Sequence, residues 1–253
     1  MKTGLIKTNE EIEIIAAGGK ILRDILHDAA KLAKPGVSTW ELNEFTEKKI
    51  REAGGRSSFK NYGDKKNPFP AGLCTSTNDV IVHGVPSQKE ILKEGDIINL
   101  DVGMEYKGLF TDTAITVPVG RISHVATKLI STTKKCLEEA IKAARARNMI
   151  GDIGFIIQSV AQAAGFSVVR DLVGHGVGYD VHEDPQVPCY GTKGQGLKLE
   201  EGMVLAIEPM LCEKEWKIAV DDDGWTIRTA DGGLAAHFEH TVAVGKKGGR
   251  VLT

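Results

Sequence analysis

Two segments of this chain follow the same short pattern, one in each half. Residues 94–101 read EGDIINLD and residues 201–208 read EGMVLAIE, so each begins with Glu-Gly, continues through mostly apolar positions and ends on an acid. Further along, FTDTAITV (110–117) matches FEHTVAV (238–244), in the same order. We therefore expect a single domain, residues 1–253, built from two halves (roughly 8–118 and 123–245) related by an approximate twofold axis.

The predicted secondary structure repeats in the same way. Capping boxes begin at Thr8 and Ser38, and four helices are predicted, at 8–34, 38–54, 123–148 and 152–164. Residues 56–79 are loop-like. Apolar segments of strand length follow in each half, at 80–82, 97–100, 114–117, near 168, 203–207 and 241–244. The order helix, helix, strands thus occurs twice, which is typical of an α+β fold.

The acids at the ends of the strand segments are the unusual feature. Asp101 and Asp112 are symmetric about Tyr106 and Lys107, so a tight turn there would place them directly opposite each other. Two like charges at that separation need a shared proton or a cation between them. A solvated hairpin with unrelated surface acids is the alternative, but the apolar run that leads to Asp101 indicates a buried strand.

The repeat extends this argument to four carboxylates. Glu208 corresponds to Asp101, and Glu239 corresponds to Asp112, so all four converge where the halves meet. Buried unpaired carboxylates are too costly, whereas two divalent cations about 3.5–4 Å apart would neutralise them and activate a bridging water. Together with His175 this mostly hard donor set suits Mn(II), Fe(II) or Co(II).

Three histidines and one cysteine are further candidates. His175 and His182 lie in the Gly-rich segment GHGVGYDVHEDP (174–185), and His83 lies in HGVP. A packed or surface histidine is the alternative for each of them, and His83 is equally well explained as a strand-end residue. Cys74 has no neighbouring base, so we interpret it as a residue of a pocket wall or of the core.

Composition limits the partners and the compartment. The 32 basic and 34 acidic residues give a formal net charge of −2, which argues against nucleic acid or an anionic membrane as a partner. Four scattered cysteines without a CxxC pair are typical of free thiols in a reducing compartment. The start MKTGLIKTNEEIEII lacks a long apolar segment, and no window is long enough to span a membrane. We therefore expect a cytoplasmic protein.

Five motifs in order give the sequence a family resemblance. NDVIVHGVP (78–86), EGDIINLDVG with FTDTA, GHGVGYDVHEDP, IEPM (207–210) and FEHT (238–241) resemble the methionine aminopeptidases of the short bacterial type I, within the M24 metallopeptidases. The resemblance spans most of the chain. It implies the pita-bread fold, in which two pseudo-symmetric halves form a curved antiparallel sheet backed by helices.

The resemblance also implies roles for the metal-binding residues. Two divalent ions (Co, Mn, Fe(II) or Zn) are expected. Asp101 would bind one ion, His175 and Glu208 the other, and Asp112 and Glu239 would bridge both. Metal-activated hydroxide would attack the first peptide bond.

The catalytic and substrate-binding roles come from the same resemblance. Glu208 would pass a proton to the leaving amine, His182 would stabilise the tetrahedral intermediate, and His83 would contact substrate near the scissile amide. By family position the methionine pocket would be formed by a further set of residues: Phe69, Cys74, Val181 and Trp225. The segment 56–70 departs from the family pattern of two pocket tyrosines, since Phe69 takes one position, Lys66 falls near the other, and Tyr62 is a possible substitute.

The implied substrate is the N-terminal methionine of nascent polypeptides with a small second residue. A monomer with transient contact near the ribosome exit is the corresponding expectation. An X-Pro aminopeptidase or prolidase is the alternative, although those enzymes usually carry a separate N-terminal domain. A non-enzymatic binding protein on the same fold is a second alternative, but such relatives lose metal-binding residues that this chain keeps.

Overall fold

The computed structural model describes residues 4–253; residues 1–3, which belong to the predicted 1–253 domain, lie outside the described residues. Its described part contains four α-helices: α1 (Asn9–Leu32), α2 (Thr39–Glu52), α3 (His124–Ala143) and α4 (Ile150–Ala163). Both predicted capping boxes are confirmed. The Glu11 N–H donates to Thr8 Oγ1 at 3.2 Å while the Thr8 N–H donates to Glu11 Oε2 at 2.9 Å, and Ser38 and Glu41 repeat the arrangement.

Helix α3 ends five residues before the predicted position. The Arg145–Asn148 segment leaves the helix because its backbone has other partners: the Ala146 N–H donates to the Gly245 carbonyl at 2.8 Å. The Asn148 side chain donates to the Ala143 carbonyl at 2.9 Å and so satisfies one of the open carbonyls at the helix end. A periodic sequence pattern does not reveal such tertiary competition.

Fifteen strands occur within residues 4–253: β1 (Arg56–Ser57), β2 (Cys74–Thr77), β3 (Val80–Val82), β4 (Ile97–Tyr106), β5 (Leu109–Pro118), β6 (Ser167–Val168), β7 (Val173–Gly176), β8 (Glu183–Pro188), β9 (Val204–Ile207), β10 (Met210–Cys212), β11 (Ile218–Val220), β12 (Ile227–Thr229), β13 (Ala235–His237), β14 (Glu239–Ala243) and β15 (Arg250–Val251). Nine form one sheet in the order β1-β4-β5-β14-β9-β7-β8, with β2 on β4 and β15 on β14. The strand pairs of this sheet are antiparallel.

Two predictions about the first half are wrong. Residues 56–79 are not all loop, because β1 and β2 both pair with β4, and β2 places Cys74 opposite Asp101. The segment CTST resembles a loop in sequence, yet its residues are largely buried by this pairing.

The predicted hairpin register is also wrong, by two residues. The loop consists of Lys107 and Gly108, both with positive φ (53° and 82°), as a two-residue type I′ hairpin requires. Asp101 therefore lies opposite Ala114, and Asp112 lies opposite Gly103. Because the shift is even, both acids still point to the same face of the sheet, as diagonal neighbours.

The helices cover the other face of this sheet. Along β4, alternate residues pack in the core that α1 and α2 form with the sheet: Ile98, Leu100, Val102 and Met104. Asp101 has the opposite parity and so points away from these helices. A second core packs α3 and α4 against the strands of the second half.

The order of two helices followed by strands occurs twice along the chain. The exact twofold division at 8–118 and 123–245, and the single-domain boundary, stay predictions. Within residues 4–253, none of the helices combines the length and apolarity needed to cross a membrane.

Candidate active site

Five neighbouring strands bring the five predicted metal-binding residues to one place. The strand order β4-β5-β14-β9-β7 carries, one residue per strand or directly after it, Asp101, Asp112, Glu239, Glu208 and His175. Antiparallel neighbours lie roughly 5 Å apart, so residues at one level of adjacent strands meet. The sheet order thus explains why residues separated by up to 138 positions form one cluster.

The ligand atoms of this cluster are close enough to share a cation. One donor atom each from Asp112, His175 and Glu239 lies within 4.8 Å of the others. His175 Nε2 is 3.4 Å from Glu208 Oε1, and burial and then the charge of Asp101 raise the pKa of Asp112. With metal–ligand bonds of about 2.0–2.2 Å, two atoms roughly 3–4 Å apart are suitably spaced as neighbouring ligands.

Burial controls the ionisation of the four acids. It raises the pKa of Asp101 to about 7 and the pKa of Glu208 to about 8. The pKa values of Asp112 and Glu239 are raised well above the usual range, first by burial and then by repulsion from the neighbouring carboxylates. Four charges cannot be held together here without a counter-charge, so the cluster takes up protons or cations.

Several buried oxygens of the cluster lack a protein partner. Among the described residues, Asp101 Oδ1, Asp112 Oδ1 and Glu239 Oε1 are buried without a hydrogen bond. Buried polar atoms of this kind call for a bound ion or ordered water. One imidazole and four carboxylates form a hard donor set that fits a divalent cation. The residues present therefore fit a divalent metal.

His175 and the two histidines beside the cluster are neutral. Burial lowers the pKa of His175 to about 3, and its Nδ1 lies 2.9 Å from the Gly176 carbonyl, which orients the ring. Burial lowers the pKa of His83 to about 4 and also lowers the pKa of His182. The centroid of the His182 ring lies 4.4 Å from that of His175, edge to face, and 4.8 Å from that of the tilted Tyr62 ring. Neutral imidazoles can donate one N–H each without adding charge.

His83 is held in an uncommon backbone conformation, with φ at 57°. Left-handed backbone in a residue other than glycine is uncommon and is found at functional sites where the surrounding structure enforces it. The His83 ring lies 6.3 Å from the ring of Trp225. This conformation places His83 at the edge of the pocket.

A cavity of about 140 Å³ opens beside the cluster. Of the predicted pocket residues, Phe69, Cys74 and Trp225 line it, and the Phe69 and Trp225 rings meet edge to face at 5.4 Å. Val181 is buried in the apolar group behind the cavity and is not among its lining residues.

The segment 56–70 contributes Tyr62 to this lining, while Lys66 is exposed and does not line the cavity. Other lining residues escaped the sequence analysis: Phe59, Val82, Leu172, Val173 and Met210. Met210 lies within the IEPM motif and Val82 directly precedes His83 in NDVIVHGVP, so these motifs could have identified both; the other three carry no comparable signal.

The loop that carries His182 is held in place by Glu183 and Lys7. Glu183 is partly buried and forms an ion pair with Lys7, which is 3% exposed; it also accepts the backbone N–H groups of Tyr179 and Asp180. Lys7 also lies over the Tyr179 ring, 4.7 Å from its centroid. The N-terminal segment therefore helps to fix the position of the loop that carries His182.

Threonine hydroxyls fasten β5 to the strands beside it. The Thr241 hydroxyl donates to the Asp112 carbonyl at 2.8 Å and accepts the Asp112 N–H at 2.9 Å. Thr113 donates to the Glu239 carbonyl at 2.9 Å, and Thr116 donates to the His237 carbonyl at 2.7 Å. These bonds fix the backbone at two of the acids.

Comparison with known proteins agrees with this geometry. The model of metallopeptidase family M24 matches residues 13–246. A protein of Clostridium acetobutylicum named methionine aminopeptidase is 44% identical over 249 residues, which cover 98% of each chain. A solved structure of a Thermotoga maritima methionine aminopeptidase is 41% identical, with a TM-score of 0.95 and 98% of each chain covered.

The same fold occurs in a more distant enzyme. The structure of an Xaa-Pro dipeptidase from Bacillus anthracis superposes with a TM-score of 0.78 at 23% identity, over 98% of this chain and 62% of the other. That likeness concerns the fold alone. The α+β pita-bread fold class predicted from the sequence is confirmed by these structures.

Proposed function

The chain belongs to metallopeptidase family M24, and we propose that it removes the N-terminal methionine from polypeptides by hydrolysing their first peptide bond. The observation that carries this proposal is the cluster of four carboxylates and one histidine beside a cavity lined by aromatic and sulfur-containing side chains. The relatives that match over nearly their full length bear the name of the same activity.

The five residues of the cluster would hold two divalent ions. We assign Asp101 to one ion, His175 and Glu208 to the other, and Asp112 and Glu239 to both. Mn, Fe(II), Co and Zn are all compatible with this donor set. Divalent ions held there supply Lewis-acid polarisation and a water-derived nucleophile at neutral pH.

The cavity selects the methionine side chain. Phe59, Phe69, Cys74 and Trp225 surround it with apolar and polarisable atoms, which suit a flexible thioether. Because the cavity lies beside the carboxylates, a methionine seated in it brings its own peptide bond to the cluster. Val181 contributes from behind by packing against this wall.

The remaining steps are assigned to three side chains. His83 orients the substrate near the scissile amide, and His182 donates an N–H to the oxygen on which charge develops. Glu208, deprotonated as a ligand, would take up the proton that the attacking water gives up and pass it to the leaving amine. Both histidines stay neutral near pH 7 because burial lowers their pKa values.

The test is peptide cleavage by the Mn²⁺-loaded protein. Met-Ala-Ser should be cleaved with a kcat/KM at least tenfold above that of an Ala-Pro peptide, and removal of metal by a chelator should abolish turnover reversibly. Preference for the Ala-Pro peptide would instead indicate an X-Pro aminopeptidase. Absence of turnover with every divalent ion would indicate a binding protein.

Further expectations accompany this proposal and stay predictions. They are a small second residue in the substrate, action on nascent chains near the ribosome exit, a monomeric state and a cytoplasmic location.

A further inference from the structure

His237 is a buried histidine that the roles assigned above do not use. It ends β13, opposite Met210 of β10, and is 1% exposed. Its backbone is fixed on both sides: the N–H donates to Thr116 Oγ1 at 2.9 Å, and the carbonyl accepts from Thr116 Oγ1 and from Asn99 Nδ2 at 2.9 Å. The backbone from which the His237 side chain extends is therefore held in place.

The ring of His237 faces Glu208. Its Nε2 lies 3.5 Å from Glu208 Oε2, while the other carboxylate oxygen, Oε1, lies 3.4 Å from Nε2 of His175. Among the described residues, neither ring nitrogen of His237 has a hydrogen-bond partner with good geometry. A buried imidazole left in that state costs free energy, and a structure that keeps one calls for an explanation.

The two oxygens of Glu208 thus face two different imidazoles. We propose that His237 is a positioning residue: its Nε2–H donates to Oε2 of Glu208, which keeps Oε1 turned towards His175 and towards a divalent ion. This inference rests on the proposed function. A carboxylate can rotate about its last torsion, and a donor on one oxygen removes that freedom.

The lining of the cavity favours positioning over direct metal binding. All five assigned ligands line it, whereas His237 is not among its lining residues. Hydrogen bonds in active sites are often long before ligands bind. His237 Nε2 lies 3.5 Å from Glu208 Oε2, and a small rotation of the ring would bring it within hydrogen-bonding distance.

Calorimetric titration with Mn²⁺ tests the inference. His237→Leu, which keeps the bulk and removes the donor, should weaken Mn²⁺ binding 10- to 100-fold, the range typical of residues that orient a ligand. His237→Gln, which keeps an N–H donor, should stay within about threefold of the unmodified protein, by the same reasoning. His240→Leu is the matched control, because His240 is largely buried and contacts Thr253 instead of the cluster. Wild-type affinity in a folded His237→Leu variant overturns the inference.

A second measurement needs no variant of His237. In the unmodified protein loaded with Zn²⁺, ¹⁵N NMR of the histidine rings should show His237 with a proton on Nε2 and none on Nδ1, and with neither nitrogen bound to metal. An Nδ1–H tautomer, or a metal-bound Nε2, would refute the assignment. If the unmodified protein binds neither Mn²⁺ nor Zn²⁺, the proposed function itself fails, which is a different result from equal binding by the variants.

Discussion

Divalent metal binding should release protons, in a number that depends on pH. Metal can bind only carboxylates that have lost their protons. With pKa values of about 7 and 8, Asp101 and Glu208 together hold about two protons at pH 6.5 and only about a quarter of a proton at pH 8.5. Asp112 and Glu239, whose pKa values are also raised, add up to about two more at pH 6.5.

The affinity for metal follows from this count. Near pH 6.5 a release of about two to four protons means that the association constant falls at least about a hundredfold for each unit of decreasing pH. His175 does not alter the count, because burial already keeps it neutral at this pH. Loss of the metal should therefore be much steeper in acid than a single carboxylate would produce.

The assay is titration with Mn²⁺ at fixed pH in two buffers that differ in ionisation enthalpy. The difference between the two observed heats gives the number of protons released. We expect two or more at pH 6.5 and a clear decrease by pH 8.5. Release of fewer than one proton at pH 6.5, or an affinity independent of pH between 6 and 8, would show that these acids are not the metal ligands.

Three further predictions concern catalysis and stability. Asp112→Asn should lower kcat at least about a hundredfold, more than loss of an outer contact does, while circular dichroism and melting temperature stay near those of the unmodified protein; near-normal activity with bound metal would contradict the assigned site. The metal-free protein should lose about 2 kcal/mol of stability or more between pH 7 and 8.5. The reason is that carboxyl pKa values raised by folding favour the folded state below them and stop doing so as pH rises through them; a melting temperature that rises in this interval would be the opposite result. Lys7→Met should destabilise by about 2 kcal/mol, because Glu183 loses its counter-charge but keeps the backbone N–H groups of Tyr179 and Asp180, and adding Glu183→Gln should recover part of that loss in urea denaturation; additive losses would rule out the pairing.

Local signals in the sequence were sufficient for much of the fold. The capping boxes at Thr8 and Ser38 each span only a few residues and mark where α1 and α2 begin. Apolar runs that end on an acid likewise identify the strands that lead to Asp101 and Glu208. These signals depend only on nearby residues, and the corresponding helices and strands occur in the structure.

Features that depend on distant partners were missed or misplaced. The register of the hairpin depends on which two residues adopt positive φ, and Lys107 gives little indication of that choice. The strand at 74–77 exists because β4 pairs with it, and α3 ends early because Ala146 finds Gly245. His237 has no sequence signal at all: its relation to Glu208 arises from the pairing of β13 with β10.

The threonine hydroxyls that fasten β5 have a consequence for how the enzyme can lose activity. Asp101 and Asp112 come from the first 118 residues and the other three proposed ligands from the remainder, so each half supplies an incomplete coordination sphere. Replacing a hydroxyl by a methyl group, as in Thr241→Val, would let the first 118 residues shift relative to the remainder, although none of the proposed metal ligands is changed. Inactivating substitutions should therefore also occur at these threonines, although their side chains face no substrate.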